Sequence, residues 1–302
     1  MQISIIGSLS GAGSPVDATV NFLAQARDEG FRRVWMTQMP YEPDLLTVLA
    51  VALREVDGIE VGTGVVPIQN VHPMLMAQRA LTLNLIAGGR FILGLGMTHA
   101  AVTEGMWGIP WDKPVRRLNE YLDGLLPLLA GEPADATGET VTTRGAVQIP
   151  GAPRSDVYIA ALGPQLLKIA GRRTAGTVTW MTGPKTLGDH VGPGLREAAG
   201  GRPVRVVAAL PVAVTDDIDG ARAQAAEQFA MYGHLPSYRA LLDREGYAGP
   251  ADAALIGEEA TVTARVEELR SAGVDEYVGV PFDASPEVRA RTRALLRALD
   301  SD

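Results

Sequence analysis

Eight short runs rich in β-branched residues punctuate this chain, at residues 3–6, 33–37, 59–66, 91–95, 157–161, 177–181, 204–214 and 276–280, and each is followed by a stretch of helical periodicity. No other feature constrains the fold as much. The runs are largely apolar rather than alternating, as in strands covered on both faces. Between them, Val16, Val20, Leu23 and Ala24 share one helical face, as do Val115, Leu118, Leu122, Leu125 and Leu129. Val288, Leu295, Leu296 and Leu299 do the same in the last helix, and Pro15, Pro114 and Pro286 stand where a first helical turn accepts proline. Eight βα units in 302 residues give the size and pattern of an α/β fold of the (β/α)8 TIM-barrel type. A doubly wound sheet is the competing architecture, but it normally carries fewer units.

The intervals after the fourth and seventh runs are much longer than the others, so the barrel is expected to carry insertions at about 97–155 and 216–256. The first contains an alternating stretch, residues 138–147, with turn residues Arg144-Gly145, which predicts a small hairpin. The second contains residues 221–232 and 238–245, which predict two extra helices. Both insertions follow strands on the C-terminal face, where barrel active sites form. The whole chain, 1–302, reads as one domain.

Composition narrows the chemistry. With no cysteine, there is no disulfide scaffold, zinc-thiolate site, iron–sulfur cluster or cysteine nucleophile. A net charge of -8 argues against a general nucleic-acid binder. The N-terminus lacks the pattern of a signal peptide and no apolar run is long enough to span a bilayer, so a soluble, cytoplasmic protein with no membrane partner is expected. Lysine occurs only as Lys113, Lys168 and Lys185, none of them in a strand, which disfavours Schiff-base chemistry. Of His72, His99, His190 and His234, none stands at metal-ligand spacing from a carboxylate, and only His99 follows a strand directly into the expected mouth. Gly94-Leu95-Gly96 and Gly11-Ala12-Gly13 each lack the third glycine of a dinucleotide fingerprint.

Two strand-to-helix turns invite a closer reading. Ala161-Leu162-Gly163-Pro164 and Thr182-Gly183-Pro184-Lys185 each put a glycine before a helix start, where free N–H groups and the helix dipole favour an anion. Such turns on adjacent strands either share one phosphate or are ordinary connections. Strand three, Val61-Gly62-Thr63-Gly64-Val65-Val66-Pro67, holds two glycines, the mark of a bulge or of close approach by a ligand. Trp107, Trp111 and Met231 are candidates for either pocket or core.

Taken in order, several segments resemble the luciferase-like superfamily, in particular its reductases that use the deazaflavin coenzyme F420. They are Phe31-Arg32-Arg33-Val34-Trp35-Met36-Thr37-Gln38-Met39, the strand-three stretch 59–67, the stretch 72–84, Gly88-Gly89-Arg90-Phe91 through Gly94-Leu95-Gly96, residues 157–170 and Trp180-Met181-Thr182-Gly183-Pro184. The resemblance covers nearly the whole chain, and the Gly88–Gly96 block is its most specific part. It implies a (β/α)8 barrel, F420 as cofactor with FMN as the alternative, and commonly a homodimer. It places a bulge with a non-proline cis peptide at Gly64-Val65, behind the cofactor ring, with Gln38 and Pro67 nearby. It places the phosphate turn at Ala161, Leu162, Gly163, Pro164, Gln165 and Leu166, a second wall at Thr182 and Gly183, and the pocket edge at Met97, Thr98 and His99.

The chain departs from the alcohol- and sugar-phosphate-oxidising branch of that group. Where those enzymes carry an acid and a histidine at the end of strand two, this chain has Gln38 and Met39, and neither is a general base at neutral pH. His99 stands where they carry a glutamate. The expectation is therefore hydride transfer from the reduced deazaflavin to an activated double bond (enone, imine or dehydroamino acid) of a small or peptide-borne substrate, with His99, Tyr41 or water as proton donor. An FMN-dependent monooxygenase and a non-catalytic flavin-binding barrel are the alternatives.

Overall fold

The computed structural model describes residues 1–9, 13–283 and 285–300, so Gly11 of the Gly11-Ala12-Gly13 match lies outside the described residues. Each of the eight runs forms a strand: β1 Gln2–Gly7, β2 Arg33–Met36, β3 Glu60–Thr63, β4 Phe91–Gly96, β5 Val157–Ala160, β6 Gly176–Trp180, β7 Arg205–Val214 and β8 Glu276–Pro281. Helices follow as α1 Pro15–Asp28, α2 Leu45–Glu55, α3 Pro73–Ile86, α4 Pro114–Leu129, α5 Pro164–Arg173, α6 Gly192–Ala199, α7 Glu259–Ser271 and α8 Pro286–Leu299. Hydrogen-bonded neighbours run β7, β8, β1, β2, β3, β4, β5, β6, and β6 pairs with β7 again. This closed order, with a helix after each strand, is the expected (β/α)8 barrel. No helix among the described residues is long and apolar enough to cross a membrane.

By contact the chain divides into two compact units, one made of Met1–Ile6, Asp28–Val34 and the chain from Ala161 onward, the other of Gly7–Arg27 and Trp35–Ala160. The first unit is tied by a buried ion pair. Glu276 of β8 is wholly buried, and its carboxylate accepts Arg33 at 2.5 Å and the Ser4 hydroxyl at 2.6 Å. A buried carboxylate persists only when its partners offset its lost hydration. The Thr292 hydroxyl of α8 donates to Val288 O at 2.7 Å and accepts Val214 N at 2.9 Å, so a hydroxyl on the buried helix face closes the end of β7.

In the second unit the Gly88–Gly96 block has a structural reading. Gly88 and Gly89 take φ of 62° and 92°, the left-handed region that glycine enters without a Cβ penalty, and so turn the chain from α3 into β4. The Arg90 guanidinium then donates to the carbonyls of Leu53, Val56 and Ile59 at 2.9–3.0 Å, satisfying carbonyls left open where α2 ends. Gly94 and Gly96 are packing glycines. A Cβ on Gly94 would stand 1.8 Å from Thr63 O, and one on Gly96 would stand 2.4 Å from Val65 Cγ2. This contact, not a nucleotide loop, is why the pair is glycine.

Two expectations about the insertions are corrected. The hairpin exists, but its strands are Ala134–Thr137 and Thr142–Gly145, so Arg144 and Gly145 pair with Asp135 and Ala134 rather than forming the turn. The turn falls at residues 138–141 because Glu120 of α4 collects three of its N–H groups, from Glu139, Thr140 and Val141, at 2.7–3.1 Å. A tertiary contact overrides the local turn signal there. The second insertion carries three helices, Ile218–Gln228, Ala230–His234 and Pro236–Glu245, and a short strand, Leu255–Gly257, that pairs with β7. The additional helix arises because the run read as residues 221–232 breaks at Phe229, between the first two helices.

Candidate active site

In the second unit the expected ring-side residues lie at the ends of β2, β3 and β4. The Gly64–Val65 peptide is cis, as the resemblance implies, and Gly64 N donates to Met36 O at 2.8 Å. The two glycines of this segment have different reasons. Gly62 is required because a Cβ there would lie 2.6 Å from the wholly buried Trp35 indole. Gly64 stands at the cis bond itself. After the bond, Val66–Pro67 forms a short strand that pairs with Leu95 and Gly96 of β4.

Gln38 follows β2, but its amide is engaged within its own loop. Nε2 donates to Met39 O at 2.8 Å and to Pro43 O at 3.2 Å, while Oε1 accepts Leu45 N at 2.7 Å. Together with Asp44, which caps α2 by accepting Thr47 N at 3.0 Å, it shapes the β2–α2 loop. Tyr41, in the same loop, is 72% exposed. Met97, Thr98 and His99 continue directly from β4, and all three are partly buried. The His99 carbonyl starts the short helix Ala100–Thr103 by accepting Val102 N and Thr103 N at 2.9 and 3.0 Å. Burial holds the His99 imidazole below its ordinary pKa of 6.5, because desolvation disfavours the cation.

The first unit carries the two glycine turns. Ala161, wholly buried at the end of β5, is fixed by the Thr177 hydroxyl of β6, which accepts its N–H at 3.2 Å and donates to its carbonyl at 3.1 Å. Leu162 leads into Gly163, which stands before α5, and no side chain caps this helix. Pro164 has no N–H to give, so the open donors of the first turn belong to Gln165 and Leu166. A Cβ placed on Gly163 meets nothing within 4 Å. This turn is open on its backbone face.

The second turn is covered by a side chain from the second insertion. A Cβ on Gly183 would lie 2.5 Å from Oε2 and Cδ of Glu245, and Glu245 Oε1 accepts Thr186 N at 2.5 Å. The Thr182 hydroxyl turns back to Trp180 O at 3.2 Å.

Aromatic residues of the second insertion, which the sequence reading did not single out, meet Trp180 before the second turn. Trp180, at the end of β6, meets Phe229 and Tyr232 edge to face, each at 5.8 Å between ring centroids. Phe229 continues to Phe282 at 5.6 Å, and Tyr232 to Tyr238 at 5.0 Å. This aromatic chain holds the second insertion to the residues that end β6 and follow β8. The Trp180 Nε1 is buried without an acceptor.

The other histidine reading holds for His72. Its Nδ1 accepts Met74 N at 3.2 Å and its Nε2 lies 3.0 Å from Thr142 O, so a single neutral tautomer serves both and caps α3. Among the described residues no group of acidic and histidine side chains is arranged to hold a metal. A surface cleft of about 690 Å³ lies between α4 and the hairpin, beside Arg116, Glu120 and Asp135, and no predicted site residue lines it.

Comparison with known proteins places this arrangement. The family described as luciferase-like monooxygenase matches residues 4–276. The chain belongs to that family. A 5,10-methylenetetrahydromethanopterin reductase of Methanolobus tindarius is 30% identical over 220 residues, 72% of this chain and 67% of that protein. The solved coenzyme F420-dependent tetrahydromethanopterin reductase of Methanopyrus kandleri superposes with a TM-score of 0.81 at 22% identity, over 99% of this chain and 97% of that one. An F420-dependent secondary alcohol dehydrogenase, solved with an F420-acetone adduct, superposes with a TM-score of 0.83 at 19% identity, over 100% and 99%. For this luciferase-like chain the two structures establish the barrel.

Proposed function

We propose that this chain is an F420H2-dependent oxidoreductase that reduces an activated double bond of a small or peptide-borne substrate. The observation that carries the reading is the turn after β5, uncapped, open on its glycine face and leading into α5. That is the chemistry an anionic phosphodiester requires, with backbone N–H groups and the positive end of a helix in place of lysines. The residues present therefore fit the cofactor's phosphate. Gly163, Gln165 and Leu166 would hold it, with Ala161, Leu162 and Pro164 setting the turn. The resemblance gives the ring side to Gly64, Val65 and Pro67, with Gln38 shaping the β2–α2 loop and Met97 and Thr98 following β4. When bound, reduced F420 supplies the hydride.

The protein's own part is to position the acceptor and to supply a proton. Among the side chains, His99 suits that task better than Tyr41. It is partly desolvated and follows β4 directly, whereas Tyr41 stands in solvent. Without an acid and histidine after β2, and with the Gln38 amide engaged in its loop, Gln38 and Met39 supply no base for removing an alcohol proton. Reduction needs no such base.

The experiment is a fluorescence titration with F420 and with FMN, followed by stopped-flow oxidation of the bound reduced cofactor by simple enones. Micromolar F420 binding with hydride loss to an enone is expected. Absence of F420 binding overturns the reading. FMN retained on purification with oxygen-dependent turnover would assign a monooxygenase instead, and binding without hydride loss to any acceptor would assign a binding protein.

A further inference from the structure

Three side-chain amides of the second unit differ in how they are satisfied. Asn84 is wholly buried and bonded at both ends, its Nδ2 donating to Pro153 O and its Oδ1 accepting Phe91 N, each at 3.0 Å. Gln38, which the resemblance sets near the cofactor ring, is engaged through both atoms within its own loop. Gln69 has neither arrangement. It is 9% exposed, its Oε1 is shut off from solvent, and its carboxamide has no hydrogen-bond partner among the described residues. A buried amide without a partner is unfavourable, and native folds keep few of them.

Its place in the fold supplies a reason. Gln69 follows the short strand Val66–Pro67, whose register sets Pro67 against Gly96 at the end of β4. Ile68 N donates to Gly96 O at 3.1 Å, so the segment is held to β4 up to the residue before Gln69. The amide therefore stands two residues past Pro67, on the segment that the resemblance gives to the ring side, and beside the strand end from which Met97, Thr98 and His99 continue. A carboxamide is neutral and presents one acceptor and one donor group side by side. Its complement is a cyclic imide edge, an N–H next to a C=O, rather than a phosphate. The rings of F420 and FMN both carry that edge.

We propose that Gln69 binds the imide edge of the cofactor ring, with Oε1 accepting the ring N–H and Nε2 donating to the neighbouring ring carbonyl. This rests on the reading above, in which Gly64, Val65 and Pro67 stand on the ring side.

The test compares the wild type with Gln69→Met, which keeps the length and removes both polar atoms. F420 affinity is read by fluorescence titration, and the stability of the cofactor-free protein by urea denaturation. F420 affinity should fall about tenfold. The deazaflavin stripped of its phosphate chain should lose the same factor, because the contact is to the ring. The urea midpoint should hold or rise, since an apolar side chain replaces a buried amide that has no partner. A purely structural amide gives the opposite pattern, a lower midpoint with unchanged affinity, and that result overturns the proposal. If the variant does not fold, the wild type decides: a deazaflavin methylated at the imide nitrogen should bind at least about tenfold more weakly, and equal binding overturns the proposal. If the wild type takes FMN in place of F420, the same comparison is made with FMN. Equal affinity in the wild type and Gln69→Met refutes the role of Gln69 and leaves the cofactor reading intact, whereas a wild type that binds neither ring overturns both.

Discussion

Arg33 donates to the wholly buried Glu276 carboxylate at 2.5 Å, with the Arg33 side chain itself only 10% exposed. Each charge is the other's replacement for water. Glu276→Ala leaves a guanidinium buried beside an apolar methyl, and the expected loss is about 3–5 kcal/mol. Glu276→Gln keeps an acceptor for the Ser4 hydroxyl and should lose less. Urea denaturation of both variants checks the order, and equal losses would mean that the charge contributes nothing.

Gly163→Ala separates binding from folding. The position has φ near -82° and open space around its Cβ, so alanine fits without strain. Stability should rise by about 0.4–1 kcal/mol through a less flexible unfolded chain. F420 affinity should fall by about tenfold, because the methyl covers the face that a phosphate would approach. Thermal melting and fluorescence titration read the two effects independently.

Gly94→Ala is expected to behave in the opposite way. Its Cβ would meet a backbone oxygen, Thr63 O, at 1.8 Å, and no rotamer change relieves that clash. Soluble native protein should not be recovered, as judged by near-UV circular dichroism. A well-folded variant would show that β3 and β4 can move apart.

The pH dependence of His99 has two consequences of known sign. Its imidazolium is disfavoured by burial, so as pH rises through a folded pKa below 6.5 the proton-donating form disappears. Turnover assisted by His99 should therefore decline across the acid range, and His99→Gln should flatten that profile while leaving F420 affinity nearly unchanged. The unfolded chain binds the proton more readily, so stability should fall as pH drops below 6.5, and the variant should lose that slope. Parallel pH–rate and pH–denaturation curves test both.

Glu120 should make the hairpin acid-sensitive. Burial works against its ionisation, but hydrogen bonds from Thr140 and Val141, with Arg116 nearby, outweigh it and hold the carboxyl below 4.5. The resulting stability is present above 4.5 and lost as pH falls through the folded value. Hydrogen exchange at Thr140 and Val141 should quicken over that interval in the wild type and be fast at all pH values in Glu120→Ala.

Eight strands, their helices, the prolines at helix starts and the places of both insertions were legible in the sequence, because periodicity and turn chemistry are carried by neighbouring residues. The Gly88-Gly89-Arg90 motif was legible as a signature but not as a role. Its work, closing the end of α2 through Arg90, is done across more than thirty residues. The hairpin turn was misplaced because Glu120, on another element, chooses which residues turn. The site shows the same limit most sharply. Sequence alone determined that two glycine turns follow β5 and β6 and that histidine, not an acid, follows β4. Only the tertiary structure decided that one turn is open and the other covered. A turn's donors are written locally, but the acceptor that fills them arrives from wherever the fold brings a charge within hydrogen-bond reach.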